Sequence, residues 1–271
     1  MPELPEVETT LRGIKPHLQG KTIDAIIIRD RRLRWPVPLT IRKKLAGQLI
    51  DNIDRRGKYL LLHTQVGTVI MHLGMSGSLR VIDSAVVPEK HDHIDIVLEN
   101  HKALRLRDPR RFGCVLFTAT DPLKHKLLAD LGPEPLSDDF NSDYLYKKSR
   151  KRKLAIKLFI MDSKIVVGVG NIYANEALFL AGIHPRRAAG KVSRESYEKL
   201  VTAIKQVLSA AIKAGGTSLR DFTRSVCKPG DFKQSLRVYD KKSEPCPVCG
   251  KPISHAVIGQ RSTYYCTQCQ K

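Results

Sequence analysis

Four of the six cysteines, Cys246, Cys249, Cys266 and Cys269, fall as C-x2-C, sixteen residues, C-x2-C. Two close pairs at this separation, the first in the turn-forming PCPVCG, have the spacing of a tetrahedral zinc ribbon in which each turn supplies two thiolates. Two disulfides are the competing reading, and they fit a reducing compartment poorly. Cys114 and Cys227 are left over and read as ordinary free thiols.

Other stretches hold residues with chemical potential. In LRLRDPRRFG, Asp108-Pro109 starts a turn and Gly113 permits one, which puts Arg110, Arg111 and Phe112 between two strands. Phe112 either folds back onto the sheet or acts as a wedge between stacked bases while Arg110 occupies the vacated space. Met75, between glycines in HLGMSG, poses the same question. In VVGVGNIYANEALF, Gly168 and Gly170 precede a helix expected to begin near Asn171. Backbone N–H groups at such a start form an anion site, although most such turns are only structural. In KHDHID, an H-x-H pair on a strand would point His91 and His93 to one face. No third metal ligand is evident, so a phosphate contact or a structural hydrogen bond is the expectation. Arg261 in GQRSTYYC lies at the expected hairpin tip of the ribbon, as a solvated arginine or a phosphate contact.

The start MPELPEVET sets Pro2 and three acids, Glu3, Glu6 and Glu8, at the head of a chain whose formal net charge is +20. Proline suits a first helical turn and carboxylates meet the positive end of the helix dipole, so a helix is expected through Val7, Leu11 and Ile14.

Lys and Arg number 47 against 27 Asp and Glu. Six of these cations, Lys147, Lys148, Arg150, Lys151, Arg152 and Lys153, fall within the eight residues YKKSRKRK. That clustering favours a nucleic-acid partner over an anionic membrane, because no strongly amphipathic basic helix accompanies it. The chain has no apolar run of membrane-spanning length and no signal-peptide pattern, so a soluble intracellular protein is expected.

The elements that must position these residues follow from periodicity. From about Lys58 to Thr118, short apolar runs broken by turns, including HIDIVLE and ALRLRD, predict an antiparallel β-sandwich or barrel. LGPEPLSDDF, residues 131–140, reads as a linker. Helical spacing then runs from Ser193, an N-cap, to the stop at Gly215 and Gly216. The fold class is α+β. Its expected parts are an N-terminal helix and β-sandwich over 1–130, a linker over 131–142, a helical DNA-binding domain over 143–225, and a further linker with the zinc finger over 226–271. A basic cleft between the β-rich and α-rich halves is expected.

MPELPEVET, RRGKYLLL, HLGMSGSLR, KHDH, DPRRFG, VGVGNIYANE, KPG and the cysteine pairs around GQRSTYYC together resemble the bacterial formamidopyrimidine-DNA glycosylase family from first residue to last. The related endonuclease VIII usually has glycine where Leu4 stands, which points to the purine-repair branch. The resemblance implies a helix–two-turn–helix domain and a glycosylase and AP lyase of base excision repair. That enzyme removes 8-oxoguanine and formamidopyrimidines from damaged double-stranded DNA and cuts by β,δ-elimination. It further implies one structural zinc, a monomer without a membrane partner, and a cytoplasmic location on the nucleoid. By position, Pro2 matches the nucleophile, Glu3 the general acid, Lys58 the β-elimination proton donor and Arg261 the δ-elimination residue. His91, Arg110, Lys151 and Asn171 match DNA contacts, and Met75, Arg110 and Phe112 match the trio that fills the gap left by the flipped base. Arg220 is a contact expected from the 215–232 loop. The pattern departs at Ser163, usually Gln, at Asp240, usually Gly, and at Cys227, more commonly Asp or Gly. An endonuclease VIII-like enzyme for oxidised pyrimidines and a non-catalytic zinc-ribbon DNA binder are the alternatives.

The implied chemistry suits these residues. Removal of Met1 would expose the secondary amine of Pro2. An α-amino group is roughly 10% unprotonated at pH 7, against about 0.04% for a lysine. Proline's own basicity and the nearby acids reduce that advantage, and the helix end restores part of it.

Overall fold

The first helix, α1 (Leu4–Leu18), turns Val7, Leu11, Ile14 and Leu18 onto one buried stripe. Its N-cap is Glu3, and the proline in the first turn is Pro5. Pro2 therefore stands ahead of the cap, which corrects the expectation that it opens the helix. This computed structural model describes residues 2–216 and 232–271. The chain divides into two units, Met1–Ala129 with Gly215–Gly230 and Asp130–Ala214 with Asp231–Lys271.

In the first unit, eight strands among the described residues form two antiparallel four-stranded sheets. One has the order β1 (Ile23–Ile28), β6 (Asp92–Leu98), β7 (Lys102–Arg107), β5 (Ser78–Asp83). The other runs β2 (Asn52–Arg56), β3 (Tyr59–Thr64), β4 (Gly67–His72), β8 (Cys114–Thr118). The α1 stripe joins Ile96, Leu104 and Leu106 of one sheet and Leu60, Leu62 and Val69 of the other in a single core, with the short α2 (Ile41–Leu45) adding both its ends. Alternation along β7 sends Leu104 and Leu106 into this core. Arg105 on the opposite face is only 1% exposed, because Asp95 accepts two hydrogen bonds from it, at 2.8 and 2.7 Å.

The second unit packs α3 (Ser142–Ser149), α4 (Ile156–Met161), α5 (Asn171–Leu180) and α6 (Arg194–Lys213) around one apolar cluster. The Ser193 side chain caps α6 by accepting from the Ser196 N–H at 3.1 Å. The 131–140 stretch is held closely against this unit. Gly132 N–H donates to Ser163 C=O at 2.8 Å, and Phe140 is wholly buried in the cluster. Two buried helix residues hold the ribbon hairpin, β9 (Ser254–Ile258) and β10 (Arg261–Tyr265), and the segment that leads to it. Lys157 donates to Ser262 C=O at 2.9 Å and to Thr263 Oγ1 at 2.7 Å. Glu176 accepts from the N–H groups of Arg237, Val238 and Tyr239 at 2.8–3.0 Å.

Candidate active site and nucleic-acid interface

At the start of α1, Glu3 and Glu6 form a reciprocal capping box, each side chain accepting from the other's main-chain N–H. The Glu3 N–H to Glu6 Oε2 distance is 2.8 Å. Both carboxylates are buried, at 3% and 7% exposure, and so is Pro2. Glu8 does not cap. It accepts from Arg12 Nε at 2.8 Å and from Arg55 Nε at 2.9 Å. Burial pushes the Glu8 carboxyl upward, but the bonds from Arg55 and Arg12 outweigh it and hold the group below its ordinary value.

Arg55 connects this helix end to Lys58. Its Nη1 donates to Gly57 C=O at 2.8 Å. Arg56 pairs with Tyr59, so Gly57 and Lys58 form a two-residue hairpin turn. Gly57 has φ +58°, at the first central position where a II′ turn favours glycine. Glu8, Arg55 and this turn thus tie Lys58 to the first turns of α1. His72, paired with Tyr59 across β3 and β4, lies within the field of Lys58. Burial, with Lys58 and Arg34, depresses its imidazole to about 4. Neutral Nδ1 accepts from Gly74 N–H at 2.9 Å.

Met75 and Phe112 are 38% and 46% exposed, so Phe112 does not fold back into the sandwich. The Arg110 guanidinium stacks 4.9 Å from the Phe112 ring centre. His91 has φ +76° and Arg111 +57°, a conformation non-glycine residues rarely adopt, and such outliers cluster at functional sites. The left-handed turn at His91 also corrects the H-x-H expectation, because only His93 lies on β6. His93 is buried with Nε2 2.9 Å from Asp108 C=O, and the His91 ring stands edge-on to it, centres 6.2 Å apart. The His91 imidazole is held below its ordinary value by partial desolvation and then by Lys90 and its other charged neighbours.

In the second unit Gly168, at φ +82°, leads to Gly170, the N-cap of α5. Asn171 Nδ2 donates to Ser262 C=O at 3.0 Å, so this side chain links the α5 N-terminus to the residue after Arg261. Gly259 and Gln260, at φ +55° and +60°, make the ribbon's two-residue turn, and Arg261 is exposed immediately after it. A Cβ on Gly259 would come within 2.6 Å of Leu158 on α4. The turn therefore sits directly on a helix. Lys151 is exposed, with φ +63°. Asp240 also has φ +63°, the left-handed region that glycine fills most easily, and aspartate is among the few other residues that tolerate it.

The four ribbon cysteines place their sulfurs within 4.8 Å of one another. Cys246 to Cys269 is 3.8 Å and Cys249 to Cys266 is 3.4 Å. Tetrahedral Zn–S bonds of ~2.3 Å put sulfurs about 3.8 Å apart, so the four fit one structural zinc. Burial pushes the Cys114 thiol up to about 12, leaving it inert near neutrality. Arg220 and Cys227 lie outside the described residues. Sequence reasoning missed Arg55, Ser76, Lys157 and Glu176, and gave Asp108 only the start of a turn. RRGKY was the signal for Arg55, since an arginine three residues ahead of Lys58 sits on the same hairpin.

These parts define a zinc-ribbon, helix–two-turn–helix DNA repair enzyme. Family models match in chain order: the formamidopyrimidine-DNA glycosylase N-terminal domain over residues 1–115, its H2TH domain over 131–223, and the zinc finger found in FPG and IleRS over 243–271. The chain belongs to the formamidopyrimidine-DNA glycosylase family, whose enzymes are DNA glycosylases of base excision repair. It is 56% identical over 270 residues to the formamidopyrimidine-DNA glycosylase of Nitrosococcus oceani, covering 100% of both chains. A Lactococcus lactis FPG mutant in complex with Fapy-dG containing DNA is 34% identical, with TM-score 0.93 over 100% of both chains. MutM in complex with carbocyclic 8-oxo-G containing DNA is likewise 34% identical over 100% of both chains, with TM-score 0.90. Family membership sets aside the non-catalytic zinc-ribbon binder.

Proposed function

We propose that this chain removes oxidised purines, 8-oxoguanine and formamidopyrimidines, from duplex DNA and cuts the strand at the resulting site, with Pro2 as nucleophile. The observation that carries the reading is the buried Pro2-Glu3 pair at a capped helix N-terminus, braced through Glu8 and Arg55 to the Lys58 turn. Complexes of the relatives with Fapy-dG and 8-oxo-G DNA support the lesion class.

With Met1 removed, the Pro2 nitrogen lone pair forms a bond to C1′. The glycosidic bond breaks and its electron pair leaves with the base, which takes up a proton. The C1′–O4′ bond then opens, with Glu3 supplying a proton to the sugar oxygen, and a cationic iminium remains because a secondary amine has no second proton to lose. That electron sink acidifies C2′. Water takes the C2′ proton as the bond from C3′ to its oxygen breaks, and Lys58 donates a proton to the leaving 3′-phosphate; a second elimination, in which water takes the C4′ proton and Arg261 assists departure, expels the 5′-phosphate. Water hydrolyses the imine and restores the amine. Met75, Arg110 and Phe112 fill the position the base has left, while His91, Lys151 and Asn171 hold the phosphate backbone. Cys246, Cys249, Cys266 and Cys269 would hold one zinc, which would take no part in these steps and supply only the fold of the ribbon that carries Arg261.

On this reading the enzyme acts as a monomer on the nucleoid. The +20 net charge supports the DNA partner. Among the described residues, no helix is long and apolar enough to cross a membrane. Cutting of 8-oxoguanine and thymine glycol duplexes side by side tests the assignment. Preference for 8-oxoguanine is expected, and preference for thymine glycol would place the chain with endonuclease VIII instead.

A further inference from the structure

Two loops of the first unit carry the gap-filling trio, Met75 on one and Arg110 with Phe112 on the other. They are joined through one side chain. Asp108 is 0% exposed, and both of its carboxylate oxygens are engaged. Ser76 Oγ donates to Oδ1 at 2.7 Å, and Gly113 N–H donates to Oδ2 at 2.8 Å. The same Ser76 oxygen accepts from Arg110 N–H at 3.1 Å. One hydroxyl next to Met75 thereby fixes the backbone of Arg110, and one carboxylate closes the far end of the Arg110 loop. Asp108 C=O receives Arg111 N–H at 3.2 Å and His93 Nε2 at 2.9 Å, which anchors the clasp to β6.

Packing reinforces the hydrogen bonds. A Cβ on Gly74 would stand 2.4 Å from the Phe112 carbonyl carbon, and one on Gly113 would stand 2.6 Å from His72 C=O. Only glycines let the loops approach so closely, and the Gly74 backbone is itself held by His72.

We propose that Ser76 and Asp108 are positioning residues that make the Met75 loop and the Arg110–Phe112 loop a single preorganised plug for the vacated base position. The proposal rests on the reading of Met75, Arg110 and Phe112 as the gap-filling trio. Two independent loops would each lose conformational freedom on entering the duplex, whereas a clasped pair has been ordered by folding and inserts together. The clasp therefore acts on extrusion of a stacked base and has little effect once no base remains to be extruded.

The test compares Ser76→Ala, Asp108→Asn and Phe112→Ala with the unaltered enzyme on two substrates, a paired 8-oxoguanine duplex and a duplex with a preformed abasic site. Losing both hydrogen bonds of the Ser76 hydroxyl in Ser76→Ala should lower kcat/KM for 8-oxoguanine about tenfold. The rise in fluorescence of a 2-aminopurine beside the lesion should slow in parallel. Abasic-site cleavage should stay within about twofold, a split that a general loss of structure would not produce. Asp108→Asn should show the same split, and Phe112→Ala should lower excision of 8-oxoguanine at least as far. If Asp108→Asn fails to fold, Ser76→Ala decides, because it removes only a hydroxyl. Equal losses on both substrates in Ser76→Ala would overturn the clasp. So would impaired excision in Phe112→Ala with normal excision in Ser76→Ala. Normal excision in Phe112→Ala would remove the gap-filling reading itself, and the clasp with it.

Discussion

Glu3 and Glu6 cap each other's main-chain N–H, with Glu6 Oε2 2.8 Å from the Glu3 nitrogen. Glu6 is thereby a structural partner of Glu3, and it holds the residue that follows Pro2 in one place. A capping box accepts glutamine as well as glutamate. Glu6→Gln should retain near-native stability, while Glu6→Ala should lose about 1 kcal/mol. Denaturant unfolding of the two variants measures the difference.

Arg55 carries the link from α1 to the Lys58 turn, and its side chain is only 13% exposed. Arg55→Ala removes the bonds to Glu8 and to Gly57 C=O together and should cost about 2 kcal/mol of stability. Because the turn it releases holds Lys58, strand cleavage at a preformed abasic site should fall more than base release does. Parallel gel assays of the two steps read the ratio.

His72 gives stability a pH dependence of definite sign. Its folded-state pKa, about 4, lies below the ordinary 6.5, so the unfolded chain binds the extra proton first. The contribution is complete above pH ~6.5, declines as pH falls through the interval, and is exhausted near pH ~4. Between pH 7.5 and 4.5 this one group should remove roughly 2–3 kcal/mol. His72→Gln, which cannot titrate, should show a correspondingly shallower loss in denaturant titrations at the two pH values.

Arg261 depends on the ribbon and the ribbon on its metal. Zinc analysis should find one ion per chain, and Cys246→Ser or a strong chelator should remove the second elimination while leaving the sandwich unit folded. Arg261→Ala should keep the zinc and leave products of β-elimination alone, visible as a 3′ sugar remnant in place of a 3′ phosphate on a sequencing gel.

Much of this was legible in the residues themselves. Cysteine spacing marked the metal site because tetrahedral thiolate coordination demands two tight turns. The strand pattern from Lys58 to Thr118 marked a sandwich because alternation survives wherever one face is buried. The first and second strands, Ile23–Ile28 and Asn52–Arg56, gave no such signal, since IDAIII and NIDRR lack clean alternation. The partnership of Asp108 with Ser76 was illegible for a different reason. A turn aspartate and a loop serine are ordinary in sequence, and only the 32-residue separation closed by the fold makes them partners. Arg105 had no such signal either: alternation in ALRLRD sets it on the face opposite Leu104 and Leu106, and nothing local shows that it is buried there on Asp95. The left-handed His91 had no local marker at all, because no glycine announces it.

The central claim is that Pro2 is the nucleophile. The most direct measurement is borohydride reduction of the enzyme on an 8-oxoguanine duplex, followed by intact-mass analysis and peptide mapping of the adduct. The account predicts a chain lacking Met1 and joined to DNA through the nitrogen of Pro2. An adduct mapped to Lys58, or an active enzyme that retains Met1, would contradict it.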